Sequence, residues 1–173
     1  TPRSFGYRWP AEWEPHAATW IAWPHKESDW PGKLACIPWI YSEIVRGIAA
    51  GERCQILVRD TRQERAARDV LTRSNVPLKN VRFYRLAADR VWTRDSGPIF
   101  IHRDGRKSAE LAVTNWGFNA WAKYRDWQLD DKIPARVARL LRLPEWRPAI
   151  NHDGRMRRVV LEGGSIDVNG QGT

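Results

Sequence analysis

The sequence predicts an α/β domain, and three observations support that prediction. Short apolar runs of strand length alternate with longer segments in which apolar residues recur at helical spacing. Turn-forming residues such as Gly, Asp and Pro separate these runs. The chain has 173 residues, of which 42% are hydrophobic and 28% charged. That length and composition are typical of one globular domain with a sizeable core.

A strand and a helix are expected early in the chain. After an opening rich in Pro and Trp that predicts irregular structure, the apolar run 18–24 ends at a proline, a pattern typical of a buried strand. The segment 37–51 predicts a helix that stops at its terminal glycine. Six of its apolar residues recur at helical spacing: Ile37, Ile40, Tyr41, Ile44, Val45 and Ile48.

The order of strand and helix then repeats. Residues 54–60 and 81–87 predict strands, and 61–76 between them predicts a second helix. Thr61 followed by Glu64 three residues later is the pattern of a capping box, so Thr61 is the expected N-cap.

The remaining segments predict a hairpin, a third helix and further turns. Residues 97–116 read as a hairpin around Asp104 and Gly105, a favoured turn dipeptide. Residues 130–143 predict a helix whose apolar stripe is Val137, Leu140 and Leu141. Strands are expected around the glycine pair 163–164 and around 169–170, while "NHDG" (151–154) predicts a turn. Because the last predicted hairpin lacks its return strand at Thr173, we expect either a longer protein or self-association.

Charge and length exclude some functional classes. The net charge is +9, but the arginines alternate with acids as on solvated helix faces, and no nucleic-acid-binding motif is present. We therefore expect no nucleic-acid partner. The apolar runs are too short to cross a membrane and no leader pattern is visible, so a cytoplasmic protein is expected.

The two cysteines do not read as a functional pair. Cys36 and Cys54 lie eighteen positions apart without zinc-ligand spacing, so neither a disulfide nor a metal site is expected, and no cofactor is predicted. A thiolate is the natural nucleophile for an amidine carbon. However, Cys36 precedes a helix and Cys54 begins an apolar run, where a buried structural thiol is the expectation.

Two acids beside glycines are the candidate site residues. In "RVWTRDSGP" (90–98), Asp95 could pair with Arg94 or Arg90 or cap a turn. Alternatively, Asp95 could accept a guanidinium in a bidentate manner while Trp92 packs on its planar face. Glu162 in "LEGG" could face solvent, or it could lie near a ligand where glycines let the backbone approach closely.

Four stretches together carry a resemblance. "PAEWEPHAATWIAWP" (10–24), "RVWTRDSGPIF" (90–100), "WGFNAWAKY" (116–124) and "VLEGGSIDVNGQGT" (160–173) closely resemble the agmatine deiminase and bacterial-type peptidyl-arginine deiminase family. The resemblance runs in order over essentially the whole chain. It implies a guanidino-group-modifying enzyme with the pentein fold, a five-bladed α/β propeller of ββαβ modules, of which about three are present here.

The resemblance also implies roles for the candidate residues. The aspartate of the family's "TRD" motif binds the substrate guanidinium, which falls on Asp95, and the tryptophan three positions earlier, Trp92, lines the pocket. The acid of the "EGG" motif, Glu162, belongs to its polar wall. The family's nucleophilic cysteine and His-x-Asp motif find no match here, so residues 1–173 are expected to be the N-terminal portion of a single deiminase domain without its catalytic portion, and inactive alone.

The substrate is the least constrained expectation. A free or peptide C-terminal arginine carries a carboxylate that needs a fixed cation, and "GFNAW" (117–121) offers none, Lys123 being the nearest. We therefore expect hydrolysis of agmatine to N-carbamoylputrescine and ammonia. The alternatives are a peptidyl-arginine or arginine deiminase, and a non-catalytic guanidinium-binding half-propeller.

Overall fold

The structure is a computed structural model that describes residues 1–105 and 110–172. The chain divides into two compact units. We call Pro15–Thr93 the parallel unit, and Thr1–Glu14 together with Arg94–Thr173 the mixed unit. Helices and strands occur in both, which confirms the predicted α/β class. The expectation of a single domain stays a prediction.

The parallel unit is a three-stranded parallel sheet with two helices. The strands are β1 (Ala18–Ala22), β2 (Arg53–Val58) and β3 (Val81–Arg85), in the order β1-β2-β3. Helix α1 (Ile37–Gly51) joins β1 to β2, and α2 (Thr61–Arg73) joins β2 to β3. A crossover of this kind is what parallel neighbours require. All five predicted elements are present, with ends shifted by up to three residues.

The core of the parallel unit is a single cluster of buried, mostly apolar side chains. One face of each helix and the strand residues beneath it are buried, including Trp23, Val45, Ala49, Cys54, Ile56, Val58, Ala67, Leu71, Val76 and Val81. Tyr41 and Ile48 pack against this cluster, whereas Ile40 and Ile44 lie on the exposed face of α1. The apolar residues of α1 therefore cover more than its buried face.

The predicted capping box of α2 is wrong. The N-cap is Asp60, whose Oδ1 accepts a hydrogen bond from the backbone N–H of Gln63 at 2.8 Å. Glu64 instead forms ion pairs with Arg68 and Arg85, both at 3.0 Å. Aspartate one residue earlier is an equally good cap, and its extended backbone completes the turn out of β2.

The mixed unit contains the predicted hairpin. After the short helix α3 (Thr93–Ser96), strands β4 (Ile99–Arg103) and β5 (Glu110–Thr114) pair in antiparallel fashion, with Arg103 opposite Glu110. The turn expected at Asp104 and Gly105 runs into residues 106–109, which lie outside the described residues. Helix α4 (Ile133–Leu141) leads to β6 (Glu145–Trp146), which pairs parallel to β5.

Two predictions for the mixed unit are wrong. Of the expected α4 stripe only Val137 is buried, since the buried face consists of Ile133, Pro134, Val137 and Ala138, and Leu140 and Leu141 are exposed. Among the described residues, no strand surrounds the glycine pair 163–164 or residues 169–170. Gly163–Ser165 form a 3-10 turn, because the glycines pack against another segment instead of extending into a ladder.

The turn at "NHDG" is confirmed, and it closes a hairpin that sequence reasoning did not identify. Strands β7 (Ala149–His152) and β8 (Arg155–Arg158) form a two-stranded antiparallel ribbon. Asp153 and Gly154 connect them with φ of 53° and 72°. Two positive φ values are what the favoured two-residue hairpin turn requires.

Candidate functional site

Asp95 lies in α3 with its carboxylate half-buried. The backbone N–H of Gly164 donates a hydrogen bond to this carboxylate. Among the described residues, Asp95 makes no ion pair. The alternative partner Arg94 pairs instead with Glu12 and, at 3.6 Å, with Asp167. Asp95 is therefore a carboxylate held by the backbone and not neutralised by either arginine considered in the sequence.

Two glycines permit the close approach at Asp95. A Cβ on Gly163 would come closer than 3.0 Å to the carbonyl oxygen of Arg94, and a Cβ on Gly164 would come equally close to Asp95 Oδ1. Side chains essentially never approach so closely, so the backbone contact requires glycine at 163, and a Cβ at 164 would displace the Asp95 carboxylate. The "EGG" and "TRD" stretches are thus in direct contact.

Glu162 directly precedes this glycine pair and lies beside Asp95. Glu162 is half-buried at the N-terminus of the 3-10 turn, and the hydroxyl of Ser165 donates to its backbone carbonyl at 2.7 Å. The structure thus brings together two acids that are 67 positions apart in the sequence. Their predicted role in binding substrate stays a prediction.

The electrostatic surroundings disfavour a negative charge on Asp95. Burial is the largest cause of the raised pKa of this carboxyl, and the nearby negative charge of Glu162 adds to it. The Gly164 hydrogen bond and the positive charge of Arg94 act in the opposite direction but do not cancel the effect. Two acids near each other with incomplete compensation form a region that attracts a cation.

Arg94 connects α3 to the N-terminal and C-terminal segments of the mixed unit through ion pairs and a hydrogen bond. Its guanidinium pairs with Glu12 of the N-terminal segment and Asp167 of the C-terminal segment, and it donates to the carbonyl of Ile166 at 3.3 Å. Arg94 therefore fixes the position of α3.

A second set of contacts holds the N-terminal segment. Glu14 forms a bidentate pair with Arg8 at 2.7 Å and accepts the backbone N–H of Ala11 at 2.8 Å. The Arg8 hydrogen bond is the main reason that the pKa of Glu14 is lowered to about 2. Gly170, at φ 76°, packs directly on Ala11 and Glu14. Sequence analysis assigned no role to Arg8 and Glu14, although both lie in or beside stretches that carry the resemblance.

Trp92 belongs to the parallel unit, where buried contacts fix the residues on either side of it. Arg90 forms a buried ion pair with Asp29, and the hydroxyl of Thr93 donates to the carbonyl of Trp20 at 3.3 Å. The indole of Trp92 itself is 49% exposed. An anchored backbone with a half-exposed indole is suited to present a flat apolar face.

The "WGFN" segment (116–119) runs beside residues 159–161, which lead to Glu162. Gly117 pairs in parallel with Val160, donating to the carbonyl of Val159 at 2.8 Å and accepting from Leu161 N–H at 3.0 Å. Arg158 supports the segment by donating to Asp131 at 2.8 Å and to the carbonyl of Trp116 at 2.5 Å.

Sequence reasoning missed Arg158 and Asp131. Asp131 Oδ1 also accepts the backbone N–H of Phe118 at 2.8 Å. In the sequence, Arg158 is one of several arginines near the end of the ribbon and Asp131 is one of two adjacent acids. Neither has a local signal that separates it from an ordinary surface charge.

The two cysteines lie in different environments, one exposed and one buried. Cys54 is fully buried, which confirms the prediction, and burial together with the charge of Glu52 raises its pKa to about 12. Cys36 is exposed at the N-cap of α1. A thiol with a raised pKa is a poor nucleophile at neutral pH.

Metal-ligand clusters and membrane-spanning helices are both absent from residues 1–105 and 110–172. Within them, no group of three or more His, Cys, Asp or Glu side chains is arranged to hold a metal ion. None of the helices in this part of the chain has the length and apolar character needed to cross a bilayer.

Known proteins resemble this chain over its whole length. The model of the Porphyromonas-type peptidyl-arginine deiminase family matches residues 8–173. The agmatine deiminase of Pseudomonas aeruginosa (strain LESB58) is 32% identical over 178 residues, and that of Stutzerimonas stutzeri (strain A1501) is 33% identical over 178 residues. Each alignment covers 100% of this chain and 44% of the relative.

Solved structures of agmatine deiminases also match this chain over nearly its whole length. The agmatine deiminase of Enterococcus faecalis superposes with a TM-score of 0.81 and 26% identity, over 99% of this chain and 43% of the other. A substrate-bound C315S agmatine deiminase of C. jejuni gives a TM-score of 0.73 and 25% identity, over 96% and 44%.

The matched proteins are named as agmatine or peptidyl-arginine deiminases. The chain belongs to the Porphyromonas-type peptidyl-arginine deiminase family, which confirms the resemblance found in the sequence. It spans less than half the length of the curated relatives that it matches.

Proposed function

We propose that this chain forms the guanidinium-recognition part of a hydrolytic deiminase that acts on agmatine. The observation that carries the proposal is the half-buried carboxylate of Asp95 beside Glu162, without an ion-pair partner among the described residues. A planar guanidinium offers five N–H donors in a fixed fork that matches a carboxylate. In this proposal Asp95 binds the fork and Glu162 adds negative potential, while the pocket-lining role that the resemblance implies for Trp92 stays a prediction.

Agmatine is the favoured member of the substrate class. Relatives of 32% and 33% identity are named agmatine deiminases. The "GFNAW" segment carries no cation that would pair with the carboxylate of arginine, and Lys123 lies over the ring of Tyr124 at 5.3 Å. Agmatine has no carboxylate and needs no such partner.

The reaction implied by the family consists of two half-steps. A thiolate attacks the guanidinium carbon, ammonia leaves, and water then hydrolyses the resulting amidino-cysteine to N-carbamoylputrescine. The residues described here would hold the cation during the first half-step. We propose that neither Cys36 nor Cys54 is that nucleophile and that residues 1–173 alone release no ammonia. We also propose that the two units correspond to about three modules of a five-bladed propeller.

The proposal is tested by calorimetric titration of the chain with agmatine. We expect binding of agmatine, weaker binding of arginine, and none of putrescine, which has the same alkyl amine but lacks the guanidinium. Asp95→Asn should abolish binding and Glu162→Gln should weaken it. Asp69→Asn, on the exposed surface of α2, is the matched control and should bind normally. Equal binding of agmatine and putrescine would show that the site does not recognise a guanidinium.

A non-catalytic guanidinium-binding module is the second candidate, favoured by the poor nucleophile environment of Cys54. Ammonia release from agmatine separates the alternatives for these cysteines. Activity of the chain that is lost in Cys36→Ala or Cys54→Ala would overturn our assignment of both thiols.

A further inference from the structure

Three consecutive residues near the candidate site have a left-handed backbone. Ala120, Trp121 and Ala122 have φ of 52°, 58° and 54°. Residues with a Cβ disfavour this region and visit it singly, not in runs. Such a run persists only where surrounding contacts determine it, and such sites cluster at ligand-binding positions. We call Ala120–Ala122 the left-handed turn.

Asn119 holds the start of the left-handed turn. Its Oδ1 accepts the backbone N–H of Ala122 at 3.1 Å, and its backbone carbonyl accepts from the same group at 3.1 Å. The ring of Phe118, which is buried, meets the indole of Trp121 edge to face at 5.4 Å. Ala120 is fully buried. The side chain and the backbone carbonyl of Asn119 thus both accept the N–H of Ala122 and close the turn onto the chain before it.

The left-handed turn follows shortly after the segment that pairs beside Glu162. Gly117 and Val160 form an isolated parallel bridge, and Asn119 and Glu162 each follow this bridge by two positions. The two segments approach closely, since a Cβ on Gly117 would come within 3.2 Å of the carbonyl oxygen of Val159. The chain therefore reverses direction beside the acid that adjoins Asp95.

We propose that Asn119, by closing the left-handed turn, is a positioning residue that fixes Glu162 in the substrate site. This inference rests on the proposed function. Just before the turn, the two backbone hydrogen bonds of Gly117 hold its segment against residues 159–161. If the turn relaxes to a right-handed backbone, the direction of the chain after Asn119 changes. The register that sets the place of Glu162 is then no longer fixed.

The test compares agmatine binding by calorimetry in four variants across pH 4–8. Asn119→Ala removes the acceptor, and we expect binding weaker by about tenfold, the equivalent of one well-made hydrogen bond. Asn119→Ser keeps a short oxygen acceptor and should restore binding to near the wild-type level. Asn119→Gln, which moves the oxygen by one methylene, should weaken binding as Ala does and serves if the Ala variant fails to fold. Asn75→Ala is the control, since Asn75 has φ 55° but lies in the parallel unit.

The pH midpoint of binding distinguishes positioning from a merely structural role. Asp95 is faced by Glu162 and Arg94, and Glu162 raises its pKa. If Glu162 moves away in Asn119→Ala, the pKa of Asp95 falls and the pH below which binding is lost should fall too. Asn75→Ala should leave both the affinity and the midpoint unchanged.

The outcomes separate the two proposals. A wild-type chain that binds no agmatine overturns the proposed function and this inference with it. A wild-type chain that binds agmatine, together with Asn119 variants of unchanged affinity and midpoint, overturns the positioning role alone. Weaker binding with an unchanged midpoint, or equal weakening in Asn75→Ala, also overturns it.

Discussion

The core of the parallel unit and the surroundings of Asp95 in the mixed unit are held together in different ways. In the parallel unit, ten buried side chains form one apolar cluster between a regular sheet and two helices. In the mixed unit, the segments around Asp95 meet through glycine contacts, arginine–carboxylate pairs and backbone hydrogen bonds. Apolar burial is non-directional, whereas these polar contacts depend on particular atoms.

The difference shows why the candidate acids lie in the mixed unit. A carboxylate in an apolar cluster would lose its hydration without compensation and would be protonated. Around Asp95, the Gly164 N–H and the charge of Arg94 provide partial compensation. These contacts offset part of the cost of burying this acid.

The largest effect is expected from a cavity in the parallel unit. Leu71 is fully buried in the apolar cluster, so Leu71→Ala should lower the free energy of unfolding by about 2–5 kcal/mol. Leu140→Ala is the matched control, because Leu140 is 44% exposed, and should change it by less than about 1 kcal/mol. Urea unfolding measures both. Equal losses would mean that apolar burial is not what distinguishes the two positions.

A methyl group at the glycine contact should have the next largest effect. Gly163→Ala forces a Cβ against the backbone carbonyl of Arg94, which cannot rotate away, so a loss of about 1–3 kcal/mol is expected, together with loss of agmatine binding. The same change at Gly47, in open space on α1, should stabilise the chain by about 0.5–1 kcal/mol. A stable Gly163→Ala variant with normal binding would contradict the close approach.

The smallest effect is expected at the left-handed turn. Ala122 is exposed with φ 54°, so Ala122→Gly keeps the turn and removes steric strain. We expect stabilisation by about 1 kcal/mol, from the cost of a left-handed residue with a Cβ. Thermal unfolding is the measurement, and destabilisation would show that Ala122 is not held in this conformation.

Sequence patterns predicted the parallel unit well. Helical spacing located α1 and α2, and apolar runs located β1, β2 and β3, because each element buries one face in a single core. The N-cap of α2 was placed one residue late because Asp60 and Thr61 are both capping residues and the choice depends on the backbone conformation after β2.

The mixed unit was predicted less well for a physical reason. The glycines at 163–164 resemble a hairpin turn in sequence, but their role is to let distant residues approach, which a local pattern does not encode. Leu140 and Leu141 have helical spacing but no buried surface to cover them. Asp95, Trp92 and Glu162 were identified through the resemblance of their motifs, whereas Arg158 and Asp131 act through contacts between residues far apart in sequence.

The most direct test of the central claim is thermal unfolding of the wild type and Asp95→Asn with and without agmatine. The raised pKa of Asp95 means that its ionised form is disfavoured in the folded state. The associated stability is present below the unfolded pKa and is lost as the pH rises through the folded pKa. Asn can still accept the Gly164 N–H and carries no charge. We predict that Asp95→Asn has a higher Tm than the wild type at pH 7, that the difference shrinks on acidification, and that agmatine raises the Tm of the wild type only. A lower Tm for Asp95→Asn at pH 7, with equal stabilisation of both proteins by agmatine, would contradict the claim that Asp95 is an ionised carboxylate kept for binding a guanidinium.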